Sequence, residues 1–187
     1  GKDLLNGKRF DKGGYILTYD YDKWSFIDPK EAQKKLNLPR NPRDYTSIAV
    51  TTDDSNDEIV YASSMGDGVI QYKNGTPVQS YNEKNAFKET AGGYGSGYCY
   101  IDGLAFDKNG NLWMTSSEVN HAVLVLDKAG AWHRLDIEQL RGVYTINDIL
   151  ITSTNDKWIY VPRNTPKLVM IPNSESLDEV SSYEFTT

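Results

Sequence analysis

A pattern of four short apolar runs recurs along this chain, and it limits the possible folds more strictly than any other feature. The clearest copy has its runs at residues 101–106, 111–116, 122–126 and 131–136. Turn residues, Asp-Lys-Asn-Gly and Asp-Lys-Ala-Gly, join the first run to the second and the third to the fourth. Runs of this length, separated by such turns, predict antiparallel β-strands.

The same order of strands recurs before and after this copy. Ile48, Leu104 and Ile149 take the same place in three copies, at spacings of about 56 and 45 residues. Four strands in about 35 residues match one blade of a β-propeller. The sequence therefore predicts an all-β chain, a partial β-propeller of about three and a half four-stranded antiparallel blades. The predicted blade units are residues 14–28 (half a blade), 45–82, 101–137 and 146–187.

An incomplete ring is the unusual part of this prediction. Closed propellers have at least about four blades, so we expect residues 1–187 to be a single partial domain and a fragment of a larger protein. Open edge strands pair readily with other strands. We therefore also expect a homodimer through the open propeller edges, with two copies combining into one ring.

Residues 28–36 predict a short helix outside the blades. Asp28 is a favourable N-cap, and Pro29 suits the first helical position because it has no amide hydrogen to leave unpaired. The helix should end before Pro39, since a residue preceding proline avoids helical geometry.

The four tryptophans stand at equivalent or nearly equivalent places in the repeats. We expect large aromatic side chains at such places to pack between adjacent blades. The residues concerned are Trp24, Trp113, Trp132 and Trp158.

Two loops form the predicted contact surface, residues 82–100 between two blades and residues 118–121 within one blade. Loops of a propeller open onto the faces of the ring, where ligands are bound. The longer loop carries aromatic residues among glycines, and aromatic rings stack on sugars and on apolar protein surfaces. The candidate binding residues are Tyr94, Tyr98, Asn120 and His121.

Charge and composition restrict the class of partner. The chain has 20 basic and 26 acidic residues, a net charge of −6, which argues against a nucleic-acid partner because phosphate backbones require a basic surface. No apolar run approaches the length of about 18 to 20 residues that spans a bilayer. The single cysteine, Cys99, has no partner for an internal disulfide. A protein or carbohydrate partner is the remaining expectation.

No arrangement of residues predicts catalysis. His121 and His133 are the only histidines, and His133 falls in an outer fourth strand, far from any central pocket. Residues 107–111 are similar to the start of a calcium loop, but hairpin geometry explains them better because the same turn recurs in the other repeats. We therefore expect a non-enzyme with no catalytic residue, no metal and no cofactor. A propeller lactonase or lyase that uses a central metal or His121 is the alternative from another class.

Residues 102–115 (DGLAFDKNGNLWMT) resemble the two-component-regulator propeller repeat, which has a G-L-A, D-x-x-G-N-L-W and T/S pattern. More narrowly, the order of features along the chain resembles that of the PorZ-like proteins of the Bacteroidetes type IX secretion system. The features that carry this likeness are residues 45–50, 66–69, 100–106 and 157–163.

The resemblance implies an extracytoplasmic propeller without chemistry of its own, in the periplasm or at the outer-membrane cell surface. It implies a surface scaffold in protein secretion, or else the periplasmic sensor half of a hybrid histidine kinase that detects glycans. Neither role brings a set of catalytic residues. The resulting hypothesis is a non-catalytic module that binds proteins or glycans in type IX secretion, with a periplasmic glycan sensor of a hybrid two-component regulator as the alternative.

Overall fold

Strands make up nearly all of the regular structure in this chain. The computed structural model describes residues 15–92, 97–163, 165–174, 176–178 and 180–186. A first pair of strands, β1 (Ile16–Asp20) and β2 (Lys23–Ile27), forms the N-terminal hairpin, and the helix α1 (Pro29–Leu36) follows it. The predicted half blade began at Gly14, which lies outside the described residues.

Twelve further strands form three four-stranded antiparallel units. Blade 1 comprises β3 (Tyr45–Thr52), β4 (Glu58–Gly66), β5 (Gly68–Lys73) and β6 (Thr76–Tyr81). Blade 2 comprises β7 (Cys99–Phe106), β8 (Leu112–Ser116), β9 (Val123–Leu126) and β10 (Trp132–Leu135). Blade 3 comprises β11 (Ile149–Ile151), β12 (Lys157–Val161), β13 (Lys167–Ile171) and β14 (Tyr183–Thr186).

The innermost strands of successive blades lie next to one another, as blades around a common axis require. β7 contacts both β3 and β11, and its first residues pair with the end of β4, which joins blades 1 and 2 into one hydrogen-bonded sheet. The prediction of an all-β, partial β-propeller of about three and a half blades is confirmed.

The same irregularity occurs within the first strand of blades 1 and 2 and just before the first strand of blade 3. Two consecutive residues face a single residue of the second strand, which is a β-bulge. The pairing register shifts at this point in blades 1 and 2, and in blade 3 both residues bond to the backbone of Tyr160. The bulged pairs are Thr46 and Ser47, Asp102 and Gly103, and Asn147 and Asp148; the facing residues are Ser63, Thr115 and Tyr160.

Small hydroxyl side chains opposite the bulges tie each blade to the next. Ser63 Oγ in blade 1 donates to the carbonyl oxygen of Asp102 in blade 2 at 3.3 Å. At the equivalent place Thr115 Oγ1 in blade 2 donates to the carbonyl oxygen of Asn147 in blade 3 at 3.0 Å. Blade 3 has Tyr160 there instead, with 43% of the side chain exposed.

The apolar core is divided into three layers by the blades. We call the side of a blade that faces the preceding unit its upstream face, and the opposite side its downstream face. One layer lies between the N-terminal hairpin, α1 and blade 1, the second between blades 1 and 2, and the third between blades 2 and 3. Each blade contributes alternate residues of its strands to the layers on its two sides, as the two-residue period of a β-strand requires.

Helix α1 begins and ends as the sequence predicts. The Asp28 side chain accepts a 2.9 Å hydrogen bond from the amide of Lys30, and Pro29 is the first helical residue. Asn37 ends the helix in the left-handed conformation, with φ of 52°. The buried side chain of Ala32 holds the helix against blade 1.

Two of the four tryptophans pack between blades as expected, Trp24 does not, and Trp158 stacks on Phe185 within blade 3, with 5.4 Å between the ring centres. Trp113 is buried between blades 2 and 3, and Trp132 packs edge-on against Phe87 in the layer between blades 1 and 2. Trp24, on the outward face of the N-terminal hairpin, is 67% exposed. The prediction is wrong for Trp24 because no described residue lies on that face of the hairpin to cover it.

Candidate functional site

The connections between strands divide into two sets at opposite ends of the blades. In an antiparallel meander the turns between first and second and between third and fourth strands meet at one end. In blade 1 these two turns are joined by Lys73 Nζ, which lies 2.7 Å from Asp53 and 2.8 Å from Asp57. The other connections meet at the opposite end, here called the loop face. Its described parts are α1 with residues 37–44, and residues 66–67, 82–92, 97–98, 117–122, 136–148, 162–163 and 165–166.

A cleft opens on the loop face beside blade 1. Its volume is about 270 Å³, near the lower end of the range for small-ligand sites. One wall follows α1, the floor is the turn between β4 and β5, and the other wall is the connection to blade 2. The lining residues are Leu38, Pro39, Arg40, Asp67, Asn82, Glu83, Lys84, Gly97 and Tyr98.

An ion pair fixes the floor of this cleft. Arg40 Nε donates to Asp67 Oδ1 at 2.6 Å, and the backbone amide of Arg43 donates to Asp67 Oδ2 at 3.3 Å. The Asp67 side chain is 13% exposed, whereas that of Arg40 is 46% exposed. The carboxylate is therefore largely occupied by the protein, while the guanidinium keeps donors free for a bound molecule.

Tyr98 forms the aromatic side of the cleft, and its position depends on Gly66. A Cβ atom at Gly66 would stand 2.7 Å from Cε2 of the Tyr98 ring, which is closer than real Cβ atoms come. Gly66 also has φ of 114°, a conformation that favours glycine. The ring lies edge-on to Tyr100, with 6.4 Å between the ring centres. The absence of a side chain at Gly66 thus leaves the space that the Tyr98 ring occupies.

His121 lies outside this cleft, in a separate contact on the loop face. Its Nδ1 is 2.6 Å from Glu89 Oε1, and the amides of Asn120 and His121 donate to Glu89 Oε2 at 2.9 and 3.1 Å. Burial raises the pKa of Glu89, but the hydrogen bonds from His121 and Asn120 outweigh it, so the pKa lies below its ordinary value. Glu89 therefore joins the connection after blade 1 to the loop inside blade 2.

The candidate binding residues that the structure describes lie at two different places on the loop face. Tyr98 lines the cleft, Asn120 and His121 lie at the Glu89 contact, and Tyr94 lies outside the described residues. Asn120 takes part through its backbone amide, because its side chain points into solvent. The charged residues of the cleft were not among the residues predicted from sequence. Arg40 and Asp67 are 27 positions apart, and no local motif links them.

Two buried ionisable groups lie at the start of β7. Burial raises the pKa of the Cys99 thiol to about 12, so this cysteine is protonated and unreactive at neutral pH. Burial also raises the pKa of Asp102 to about 7, although hydrogen bonds from Ser117 and Tyr100 to the carboxylate oppose the change. Ser117 Oγ donates to Asp102 Oδ2 at 2.7 Å.

The two histidines serve separate contacts. His133, in β10, lies 3.0 Å from Asp127 in the turn before that strand, whereas His121 pairs with Glu89. Among the described residues, no three His, Cys, Asp or Glu side chains converge as a metal site would require. In the turn of residues 107–111, Asp107 accepts bonds from two amides, the Asn111 side chain and the Trp113 indole, which is hairpin geometry.

Within the described ranges, no helix has both the length and the apolar character needed to cross a bilayer.

Comparison with solved structures identifies propellers of the expected kind. PorZ, a surface component of the type IX secretion system of Porphyromonas gingivalis, aligns with a TM-score of 0.79 over 91% of this chain, at 19% sequence identity. The chain spans 23% of the length of PorZ. The resemblance drawn from the sequence is therefore confirmed by the fold. No protein-family model and no curated protein matches this sequence.

A second similar structure is an extracellular domain of a sensor system. The extracellular domain of a hybrid two-component system of B. thetaiotaomicron aligns with a TM-score of 0.52 over 76% of this chain, at 13% identity. The chain spans 18% of that protein. At this level of identity both comparisons establish the propeller fold.

Proposed function

We propose that this chain is a non-catalytic β-propeller module that acts outside the cytoplasm as a scaffold for a protein or carbohydrate partner, in type IX secretion. The single observation that carries the proposal is the structural match to PorZ over nearly the whole chain. Because the match covers a minor part of PorZ, we also propose that residues 1–187 are one partial domain of a larger protein.

The cleft on the loop face is the proposed contact point for this partner. It combines the aromatic ring of Tyr98, the half-exposed guanidinium of Arg40 and the side chains of Glu83 and Lys84. Sugar hydroxyls and peptide groups both pair with such mixed polar groups, and both pack against aromatic rings. We propose Asn120 and His121 as further contacts on the same face, and Tyr94 as a further contact residue.

A second candidate function is a glycan-sensing domain of a hybrid two-component regulator. The similarity to the extracellular domain from B. thetaiotaomicron favours it, although this alignment is the weaker of the two. A lactonase or lyase has less support, since the imidazole of His121 is bound to Glu89 and lies in a different place from that of His133.

Capture of a partner by the purified chain tests the proposal. Immobilised protein would be incubated with outer-membrane and periplasmic extracts of a Bacteroidetes species and, separately, with a glycan array. We expect retention that falls at least ten-fold with Tyr98→Ala. Tyr183→Ala removes an aromatic ring, 52% exposed, from blade 3 and should leave retention unchanged.

Two results would contradict the proposal, and a third would favour the glycan sensor over it. Equal retention by both variants would show that the cleft is not the contact point. Turnover of a lactone that is lost with His121→Ala would establish an enzyme. Capture of glycans alone, with no secretion component retained, would favour the sensor. The homodimer through open propeller edges stays a prediction, which light scattering tests directly.

A further inference from the structure

The tripeptide Lys-Asn-Gly occurs twice in the chain, each time in a hairpin turn at the end of the blades opposite the loop face. Residues 73–75 lie at the turn between β5 and β6, and residues 108–110 lie between β7 and β8. Asparagine followed by glycine loses its side-chain amide readily, because glycine has no side chain to hinder ring closure. The two asparagines have the same neighbours on both sides, so the fold must account for any difference between them. A third Asn-Gly pair, residues 6–7, lies outside the described residues.

Both ends of the Asn74 side-chain amide are hydrogen-bonded. Its Oδ1 accepts from the backbone amide of Glu58 at 2.9 Å, and its Nδ2 donates to Asp57 Oδ1 at 2.8 Å. Asp57 is in turn held by Lys73 Nζ at 2.8 Å. For ring closure, Cγ of Asn74 has to turn toward the nitrogen of Gly75, and that rotation breaks both bonds, one of them to a charged carboxylate.

The side-chain amide of Asn109 has no such restraint. Asn109 is exposed, and within the described residues its side chain makes no hydrogen bond. The attacking nitrogen, that of Gly110, is engaged in one turn bond, to the carbonyl oxygen of Asp107 at 3.1 Å. Ring closure at Asn109 therefore breaks one bond between neutral groups, whereas at Asn74 it breaks a neutral bond and a charge-assisted bond.

We propose that Asn109 is a site of spontaneous deamidation in the folded chain and that Asn74 is protected from it. The backbone nitrogen of Gly110 loses its proton to hydroxide and attacks Cγ of Asn109. The new C–N bond closes a succinimide ring while the Cγ–Nδ2 bond breaks, and Nδ2 leaves as ammonia with a proton from water. Water then opens the ring at either carbonyl carbon and gives aspartate or isoaspartate. Nothing is oxidised or reduced, and water is the co-reactant.

The isoaspartate product would disturb the contact between blades 2 and 3. It adds a methylene to the main chain between Asn109 and Gly110. Asp107 Oδ1 accepts from the amides of Asn109 and Asn111, both at 2.9 Å, and the added methylene changes the spacing of these two donors. Asp107 also accepts from the indole of Trp113, which is buried between the two blades. We therefore expect the isoaspartate form to melt at a lower temperature than the unmodified chain.

Ageing of the purified chain tests the proposal. The folded protein would be kept at pH 8 and 37 °C in buffer made with oxygen-18 water, and samples taken over four weeks would be digested with pepsin in acid, where succinimide formation is slow. Because newly formed aspartate and isoaspartate take up the label, mass spectrometry then counts only modification during the incubation. We expect the label to accumulate at residue 109 at least ten-fold faster than at residue 74.

Two comparisons separate the effect of the fold from that of the local sequence. In the chain unfolded with guanidinium chloride, the two sites should react at similar rates, because they have the same neighbours. In the folded chain, Asp57→Ala removes the acceptor of the Asn74 amide and should speed the reaction at residue 74 at least three-fold. Asp54→Ala removes an exposed carboxylate from the same turn and should change neither rate.

Four results would overturn the proposal. The first is a reaction at residue 74 of the folded chain as fast as that at residue 109. The second is no reaction at residue 109 over four weeks while the unfolded chain reacts. The third is the same ratio of rates in the folded and unfolded chains, which would assign the difference to sequence. The fourth is an unchanged rate at residue 74 in Asp57→Ala. The inference does not depend on the function proposed above.

Discussion

Replacing Asp102 by asparagine should make the chain more stable at alkaline pH while leaving its stability at pH 5 nearly unchanged. Asp102 lies in the bulge of the innermost strand of blade 2, with 9% of its surface exposed. Its carboxylate has Ser117 Oγ as a hydrogen-bond donor at 2.7 Å. Asparagine keeps the shape and an acceptor oxygen for Ser117, but it cannot ionise.

The size of the expected change in stability follows from the raised pKa of Asp102. Burial moves the pKa of Asp102 to about 7 in the folded chain, against about 3.9 in an unfolded one. Between these values the folded state holds more protons, so the free energy of unfolding falls by about 1.4 kcal/mol for each pH unit. The wild type should therefore lose about 3 kcal/mol between pH 5 and pH 8 from this group alone, and Asp102→Asn should not.

Urea unfolding followed by tryptophan fluorescence at pH 5, 6, 7 and 8 measures this difference. The exposed turn residue Asp54 offers the matched control, because Asp54→Asn removes a carboxylate without changing a buried site. Contributions from other titrating groups cancel when each variant is compared with the wild type. Parallel curves for the wild type and Asp102→Asn would refute the reasoning, since they would mean that the carboxylate remains hydrated in the fold.

Three further substitutions test other features of the fold. Gly103→Ala should destabilise the chain by about 1–3 kcal/mol in thermal unfolding, because the new Cβ would stand 2.7 Å from a backbone nitrogen of blade 3; Gly92→Ala, with nothing within 4 Å, is the control. Gly66→Ala should also destabilise the chain and displace the Tyr98 ring. An unmoved ring in a crystal structure of the variant would show that the position of Tyr98 does not depend on Gly66. Glu89→Gln should lower the melting temperature at pH 7. Because the pKa of Glu89 is lowered in the fold, this stabilisation exists above its unfolded pKa of about 4.3 and is lost as the pH falls through the folded value, so the two proteins should converge in acid.

The sequence correctly predicted the features of the fold that depend on residues close together in the chain. The cap at Asp28 and the turn closed by Asp107 depend on residues within six positions of one another, so their residue types identify them. The blade repeat was visible because each of its strands keeps an apolar face. Comparing copies then aligned Ile48, Leu104 and Ile149, which do occupy one structural position.

The parts that sequence did not predict depend on distant residues. Glu89 holds a loop that lies about 30 positions further along the chain, and Arg40 reaches across 27 positions to Asp67. Lys157 is 2% exposed with its ammonium 4.5 Å from the centre of the Trp113 ring, in a strand position where a lysine would be expected in solvent. Tertiary packing decides such contacts, and a single sequence carries no pattern for them.

The hydroxyl bonds between blades have a consequence for how an array of this kind grows. Blade 2 accepts such a bond from blade 1 through a bulge carbonyl and donates one to blade 3 through Thr115. A second copy of blade 2 placed directly after it could therefore make the same hydroxyl hydrogen bonds to the blades on both sides. Blade 3 carries the bulky ring of Tyr160 at the corresponding place, so the short hydroxyl bond that links blades 1 and 2 to their next blades has no equivalent there.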